Sequence, residues 1–283
     1  MKLVRYGAAG KEKPGIIDGN GKVRDLSKLV KDIDGEALSA AGLAKIKKAK
    51  LDKLPLVKGN PRLGPCVARP SNFIAIGLNY ADHAAEAGMQ LPKEPIIFNK
   101  AVSSICGPND NTITPKDSSK LDYEVELGIV IGKRASYLKK EQAMSAVAGY
   151  FLSNDVSERV FQIERAGQWT KGKGCETFGP LGPWMVTKDE IKDPQNLNME
   201  LTVNGEVRQK GNTKTMIFGV AHLVWACSQY FILEPGDVII TGTPPGVGLG
   251  MKPEPKFLNA GDVVKLTMDG LGTQTQKIVK GRY

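Results

Sequence analysis

The chain has 283 residues, four Cys, two His, 24% charged residues and a formal net charge of +9. Its length suggests one or two domains and a core that folds without disulfide or metal staples. Apolar content of 41% with 32 Gly and 17 Pro excludes a disordered chain and reads as globular and rich in turns.

The first 66 residues read as a small α/β unit. Lys2–Tyr6, Pro14–Asp18 and Lys22–Asp25 alternate with Gly-rich turns and predict a meander. Residues 36–50 carry helical apolar spacing at Leu38, Ala41, Leu43 and Ile46. Leu54 through Pro70 is punctuated by proline and reads as a link. Two domains are expected, residues 1–66 and 67–283.

Beyond Pro70, strands dominate. They are expected at Phe73–Gly77, Ile96–Asn99, Leu121–Ile131, Gly149–Val156, Asp237–Thr241 and Asp262–Met268. Leu197–Val203 and Glu206–Gln209 flank Asn204-Gly205 as a hairpin. Helical segments are expected at Tyr80–Gly88, Lys140–Ala148 and Ile217–Phe231, the last being the one long helix. No strict βαβ alternation appears, so the predicted class is α+β, a β-rich sandwich or roll.

Eight of the nine net positive charges fall in residues 1–65, mostly as lysines. With one aromatic residue and three Arg in that segment, stacking and bidentate phosphate contacts are scarce. A solvated lysine face is expected, with no nucleic-acid partner. No run approaches the roughly 20 apolar residues of a membrane span. The start, Met1–Tyr6, has no apolar export region. Four scattered Cys without a Cys-x-x-Cys pair argue against zinc. The expectation is a cytoplasmic protein with reduced thiols and no membrane partner.

The strongest local signal is Leu121-Asp-Tyr-Glu-Val-Glu-Leu-Gly-Ile-Val-Ile-Gly132. Alternation puts Glu124 and Glu126 on one side of a strand, beside glycines that leave room. Buried together they repel, and a hard divalent cation removes the conflict. The alternative is the solvated face of an amphipathic strand. Asp155, at the end of an apolar strand, is a candidate third ligand. His83 and Glu86, three residues apart on a helical turn, make a candidate base and its orienting carboxylate, or else a surface pair. Gly242-Thr-Pro-Pro-Gly-Val-Gly248 offers amides and the Thr243 hydroxyl to a carboxylate or phosphate, or is a tight turn.

Five motifs in series carry a resemblance. They are Gly77-Leu-Asn-Tyr-x-x-His83-x-x-Glu86, Tyr123-Glu-Val-Glu-Leu127, Asn154-Asp-Val-Ser-x-Arg159-x-x-Gln162, Lys171-Gly-Lys173-x-x-x-Thr177 and Leu233-Glu-Pro-Gly-Asp237 running to Thr241-Gly-Thr-Pro244. Together, over residues 70–283, the chain resembles the fumarylacetoacetate hydrolase family.

The resemblance implies a β-rich roll around a metal site, assembled as a homodimer or a dimer of dimers. It implies Glu124, Glu126 and Asp155 as ligands of Mg²⁺ or Mn²⁺. His83 and Glu86 match the water-activating pair, and Lys173 matches a catalytic lysine. Arg159, Gln162, Thr177 and Thr243 match substrate-holding groups, with Tyr80 and Lys100 bordering them. The implied reaction is hydrolysis of a carbon–carbon bond in a 2,4-diketo acid, giving pyruvate and a small acid. Oxaloacetate decarboxylation, acylpyruvate cleavage and hydration or isomerisation of a 2-hydroxydienoate are the rival reactions on the same fold. Ile76 stands where the animal enzymes carry a fourth carboxylate, Gly174, Cys175 and Glu176 depart from many relatives, and both features point away from fumarylacetoacetate itself. The general likeness is to bacterial members acting on 2,4-diketo-3-deoxy sugar acids such as the rhamnonate or fuconate derivatives. His222, on the long helix, matches no role and is expected to be packed. Tyr80–Leu91, with Gly88 as hinge, is expected to close over substrate.

Overall fold

The computed structural model describes residues 1–82 and 90–283. The helical turn expected at Tyr80–Gly88 and the closing segment expected there fall largely outside the described residues, as do His83 and Glu86. The early strands are β1 (Lys2–Tyr6), β2 (Lys13–Ile17), β3 (Val23–Asp25), β4 (Phe73–Gly77), β5 (Ile96–Asn99), β6 (Ile105–Cys106) and β7 (Thr112–Thr114). Next come β8 (Leu121–Asp122), β9 (Val125–Ile131), β10 (Val147–Asn154), β11 (Ser157–Glu158), β12 (Gly179–Pro180) and β13 (Met185–Thr187). The last are β14 (Asn198–Val203), β15 (Glu206–Asn212), β16 (Val238–Ile240), β17 (Val263–Met268) and β18 (Gly272–Lys280). Helices used below are α1 (Gly35–Leu38), α2 (Ala40–Lys47), α3 (Thr170–Lys173) and α4 (Val220–Tyr230). This is the expected α+β, β-rich architecture.

A nine-stranded sheet, ordered β3-β2-β1-β13-β10-β9-β16-β4-β5, forms the centre. A second sheet, β15-β14-β17-β18-β7, packs on one face with α4. The apolar sides of β9, β10, β14, β17 and α4 meet in that core, around Leu127, Leu152, Leu201, Leu266 and Leu223. The opposite face of the central sheet carries a second core, where Leu38 and Ile46 of the N-terminal helices meet Val130, Phe151 and Val238. Both faces of β9 are therefore buried, and every residue from Val125 to Ile131 is inaccessible. Such a strand loses the apolar-in, polar-out contrast on which alternation depends.

Residues 1–66 join this sheet directly. β1 pairs antiparallel with β13, with Lys2 opposite Val186 and Leu3 opposite Met185. Leu3, Ile16 and Leu26 share a core with Phe73 and Phe151. The backbone thus gives no gap in sheet or core at residue 66.

Several element boundaries differ from expectation. The single strand Leu121–Ile131 is broken at Tyr123-Glu124 into β8 and β9, which pair with different partners. The helix expected at Lys140–Ala148 is a 3₁₀ turn over Lys140–Ala146 that gives way to β10. Val147 and Gly149 belong to the sheet, and Gly149 meets the backbone of Val186 too closely for a side chain. β18, the longest strand, lacked an apolar signal because its buried positions are Gln274 and Gln276 as well as Ile278. Its Gln274 amide donates to the carbonyls of Leu152 and Gly182, so burial is satisfied by polar pairing. Among the described residues no helix is long and apolar enough to cross a membrane.

Candidate metal and active site

Antiparallel and parallel pairing bring four strand ends to one edge of the central sheet. β16 runs parallel to β4, and both run antiparallel to β9, as β10 does. The C-terminal ends of β4, β10 and β16 therefore converge on the N-terminal end of β9. Glu126 enters from β9, Glu124 from the residue before it, Asp155 from the residue after β10, and Gly242-Thr243 from the loop after β16. They meet at the floor of a cavity of about 350 Å³.

One carboxylate oxygen from each of Glu124, Glu126 and Asp155 lies within 4.8 Å of the other two. All three residues are buried. Lys173, presented by α3, donates 2.8 Å hydrogen bonds to Glu124 Oε2 and Asp155 Oδ2. Burial alone lowers the affinity of this lysine for its proton, but Asp155 and Glu124 overcome that and raise its pKa. Lys100 stands behind Asp155, 2.5 Å from Oδ1, and also donates to the Lys173 carbonyl. Burial dominates there, and the Lys100 pKa is lowered despite Asp155. Glu126 receives the Gly242 N–H at 2.7 Å. Burial, then Asp155 and Glu124, push its carboxyl well above the usual carboxylate range.

Arg159 is a strut inside the floor. Its Nε donates to Asp122 Oδ2 at 2.8 Å, Nη2 to Glu124 Oε1 at 2.7 Å, and Nη1 to Gln162 Oε1 at 2.9 Å. Nη2 also lies 2.8 Å from Asp122. Against desolvation, Asp122 and Glu124 hold the guanidinium more firmly protonated than usual. Asp122, fully buried, also receives the N–H groups of Gly248 at 2.7 Å and Leu249 at 3.0 Å. It ties the loop after β16 to the arginine that aims Glu124. Asp122 was absent from the sequence-predicted site. The available signal was a third acid at the same two-residue spacing as Glu124 and Glu126.

The expected residues divide into two groups. Glu124, Glu126, Asp155, Lys173, Arg159, Gln162 and Thr243 all line the cavity. Lys100, Tyr80 and Thr177 are not part of its wall. Lys100 supports Asp155 from behind, and the Tyr80 hydroxyl approaches Met199 Sδ at 3.9 Å. Thr177 Oγ1 accepts the Ile113 N–H at 2.8 Å and donates to the Glu176 carbonyl at 2.6 Å. In this structure these three side chains are engaged in internal packing and hydrogen bonding.

Two other expectations change. Two amides of the 242–248 loop, those of Gly242 and Gly248, donate to the chain's own carboxylates, Glu126 and Asp122. The Thr243 hydroxyl donates to the Val125 carbonyl and accepts from Gln209. The space beside Gly128 is filled by the Phe151 ring, where an added Cβ would come within 2.2 Å. Gly77 has the same role under Trp169, whose ring meets Phe98 edge-on at 5.3 Å along the cavity wall. His222 packs between Phe218 and Trp225, with ring centroids 5.0 and 5.1 Å away, and is not among the residues that line the cavity.

The model of the fumarylacetoacetate hydrolase C-terminal family matches residues 72–279, a span that carries every element of this floor. The chain belongs to the fumarylacetoacetate hydrolase family. A Burkholderia ambifaria protein is 58% identical over 282 residues, all of both chains; its name carries a provisional assignment as a hydrolase and no substrate. Among solved structures, 2-hydroxyhepta-2,4-diene-1,7-dioate isomerase from Mycobacterium marinum is 30% identical with a TM-score of 0.76. Maleylpyruvate hydrolase from Sphingobium sp. SYK-6, in complex with manganese(II) and pyruvate, is 27% identical with a TM-score of 0.82. Both comparisons cover the whole of each chain. The family fold thus supports hydrolases and isomerases, and one such fold holds manganese with pyruvate.

Proposed function

We propose that this protein is a divalent-metal-dependent hydrolase that cleaves a carbon–carbon bond in a 2,4-diketo acid and releases pyruvate. The observation that carries the reading is the buried Glu124, Glu126 and Asp155 cluster at the cavity floor, with Lys173 bridging two of its members. The donor set fits a hard cation. It is all oxygen, its atoms lie at the mutual spacing of ligands, and burial followed by the charges of Asp155 and Glu124 raises the pKa of Glu126. Mg²⁺ and Mn²⁺ both suit it.

Glu124, Glu126 and Asp155 would hold a cation, which would supply Lewis-acid charge to the keto-acid end of substrate. Lys173 uses two of its three N–H bonds on Glu124 and Asp155. The third, without a partner among the described residues, can donate to the enolate oxygen as charge develops there. Arg159, fixed by Asp122, holds Glu124 in place, and Gln162 has its Nε2 group left for the substrate carboxylate. His83, oriented by Glu86, is assigned removal of a proton from water on their sequence spacing. Hydroxide adds to C4, the C3–C4 bond breaks, and C3 is protonated. The products are a carboxylic acid and pyruvate.

The test is pyruvate release from acylpyruvates, 2,4-diketo-3-deoxy sugar acids and oxaloacetate, with Mg²⁺, Mn²⁺ or EDTA. EDTA-sensitive cleavage of a diketo acid, lost in Glu124→Ala and His83→Ala, is expected. Turnover of oxaloacetate alone, surviving His83→Ala, would replace hydrolysis by decarboxylation.

A further inference from the structure

A second recess, of about 420 Å³, shares no lining residue with the catalytic cavity. Its walls include Tyr123, Arg208, Lys256, Leu258 and Asp262. The place of Arg208 follows from a break in strand register. Leu201 of β14 faces Gln209 of β15, but Thr202 faces Val207. Arg208 is therefore the extra residue of a β-bulge, a feature that re-aims a side chain out of the alternation of its strand.

The loop over residues 242–248 packs on this bulge, because a Cβ at Gly246 would overlap the Arg208 carbonyl. The Tyr123 hydroxyl donates to the Gly246 carbonyl at 3.1 Å, and the Lys256 N–H to the Gly248 carbonyl at 2.9 Å. The recess thus backs onto the loop whose Gly242 and Gly248 amides hold Glu126 and Asp122.

Arg208 is incompletely paired there. Its side chain is only 12% exposed, and Nη2 donates to Glu206 Oε2 at 3.0 Å. Nε and Nη1 are buried and have no hydrogen-bond partner. Buried cationic donors without acceptors are costly, and native folds seldom leave them so. The acid in the wall does not serve them. Asp262 accepts the Asn204 side-chain amide at 2.8 Å and the Asn259 N–H at 2.7 Å. Lys256, exposed in the same wall, adds a second cation with no carboxylate partner among the described residues.

We propose that Arg208 anchors a ligand site outside the catalytic cavity, and that its ligand is a small organic acid held by its carboxylate. The carboxylate supplies acceptors to the guanidinium as charge-assisted hydrogen bonds. Tyr123 and Leu258 give the body of the acid an apolar surface. Glu206 and Asp262 already balance Arg208 and Lys256, so each further negative charge meets their repulsion. A carboxylate carries one such charge and a phosphate up to two.

The test follows the Arg208 Nε–H signal in ¹⁵N spectra of the Mg²⁺-loaded full chain, assigned by its loss in Arg208→Lys. Sodium acetate is expected to shift it saturably. Sodium chloride at equal ionic strength should leave it in place, and phosphate should bind at least about twofold more weakly than acetate. Glu206 and Lys256 are exposed, so their replacement leaves the core intact. Lys256→Met is expected to weaken acetate binding about two- to fivefold, and Glu206→Gln to strengthen it by a similar factor. No saturable shift, an equal shift with chloride, or tighter binding of phosphate would overturn the proposal. So would unchanged acetate affinity in both variants. A signal that moves on dilution of the protein and ignores acetate would place a carboxylate of a second copy on Arg208 instead.

Discussion

Asp122→Asn tests the buried strut. The carboxylate of Asp122 accepts four groups: the N–H of Tyr123 at 2.9 Å, those of Gly248 and Leu249, and Arg159 Nε. Asn keeps the size but turns one acceptor into a donor. That donor must face either the guanidinium or a backbone N–H, and the Arg159 charge is left with Glu124 alone. Breaking one partner of a buried pair costs about 3–5 kcal/mol, which lowers Tm by roughly 5 to 8 °C for a chain of this size. Freed from Asp122, Arg159 no longer fixes the angle of Glu124. Loss of such a supporting contact weakens metal binding by about 10- to 100-fold. Differential scanning calorimetry in EDTA reads the stability, and Mn²⁺ titration reads the affinity. A Tm within about 2 °C of wild type, with unchanged Mn²⁺ affinity, would refute the idea that Asp122 couples the loop, Arg159 and Glu124.

Two further substitutions address the floor. Glu126→Gln keeps an acceptor for the Gly242 N–H and removes the charge that burial, Asp155 and Glu124 oppose. In EDTA this variant should melt no lower than wild type. Wild type should gain about 2.7 kcal/mol when Mg²⁺ is at 100 times its Kd, whereas the variant should gain little; an equal gain would remove Glu126 from the ligand set. Lys100→Met leaves Asp155 with one ammonium partner instead of two. It should lose about 3–5 kcal/mol of stability in EDTA and recover part of it with added metal. Unchanged melting would show that the Lys100 contact is dispensable.

Short-range periodicity marked Glu124 and Glu126 as neighbours, because side chains two apart on a strand share a side whatever the strand packs against. It did not say whether that side is wet or dry. β9 lies in the middle of nine strands with a core on each face, so its polar pair is buried. The fold class was legible for the same local reason: strand-like runs, turn signals and one long helix are all encoded within a few residues. The ends of β18 and the extent of β10 were not, since Gln274 and Gln276 are buried through distant hydrogen bonds.

The amino-acid sequence by itself determined which groups are available: three carboxylates in two motifs, a lysine and an arginine nearby in the chain, and a series of motifs that place the protein in its family. Only the tertiary structure decided how those groups are used. Arg159, matched to a substrate-holding group by resemblance alone, is paired in the fold with Asp122 and Glu124 and so also braces the floor. Lys252 has no motif, yet it is left facing the cavity without a carboxylate partner among the described residues. Charges act through space, and their partners here come from residues up to 127 positions apart, as Asp122 and Leu249 do. Local sequence specifies the groups, while the balance of charge around each one is set by which strand ends the sheet brings together.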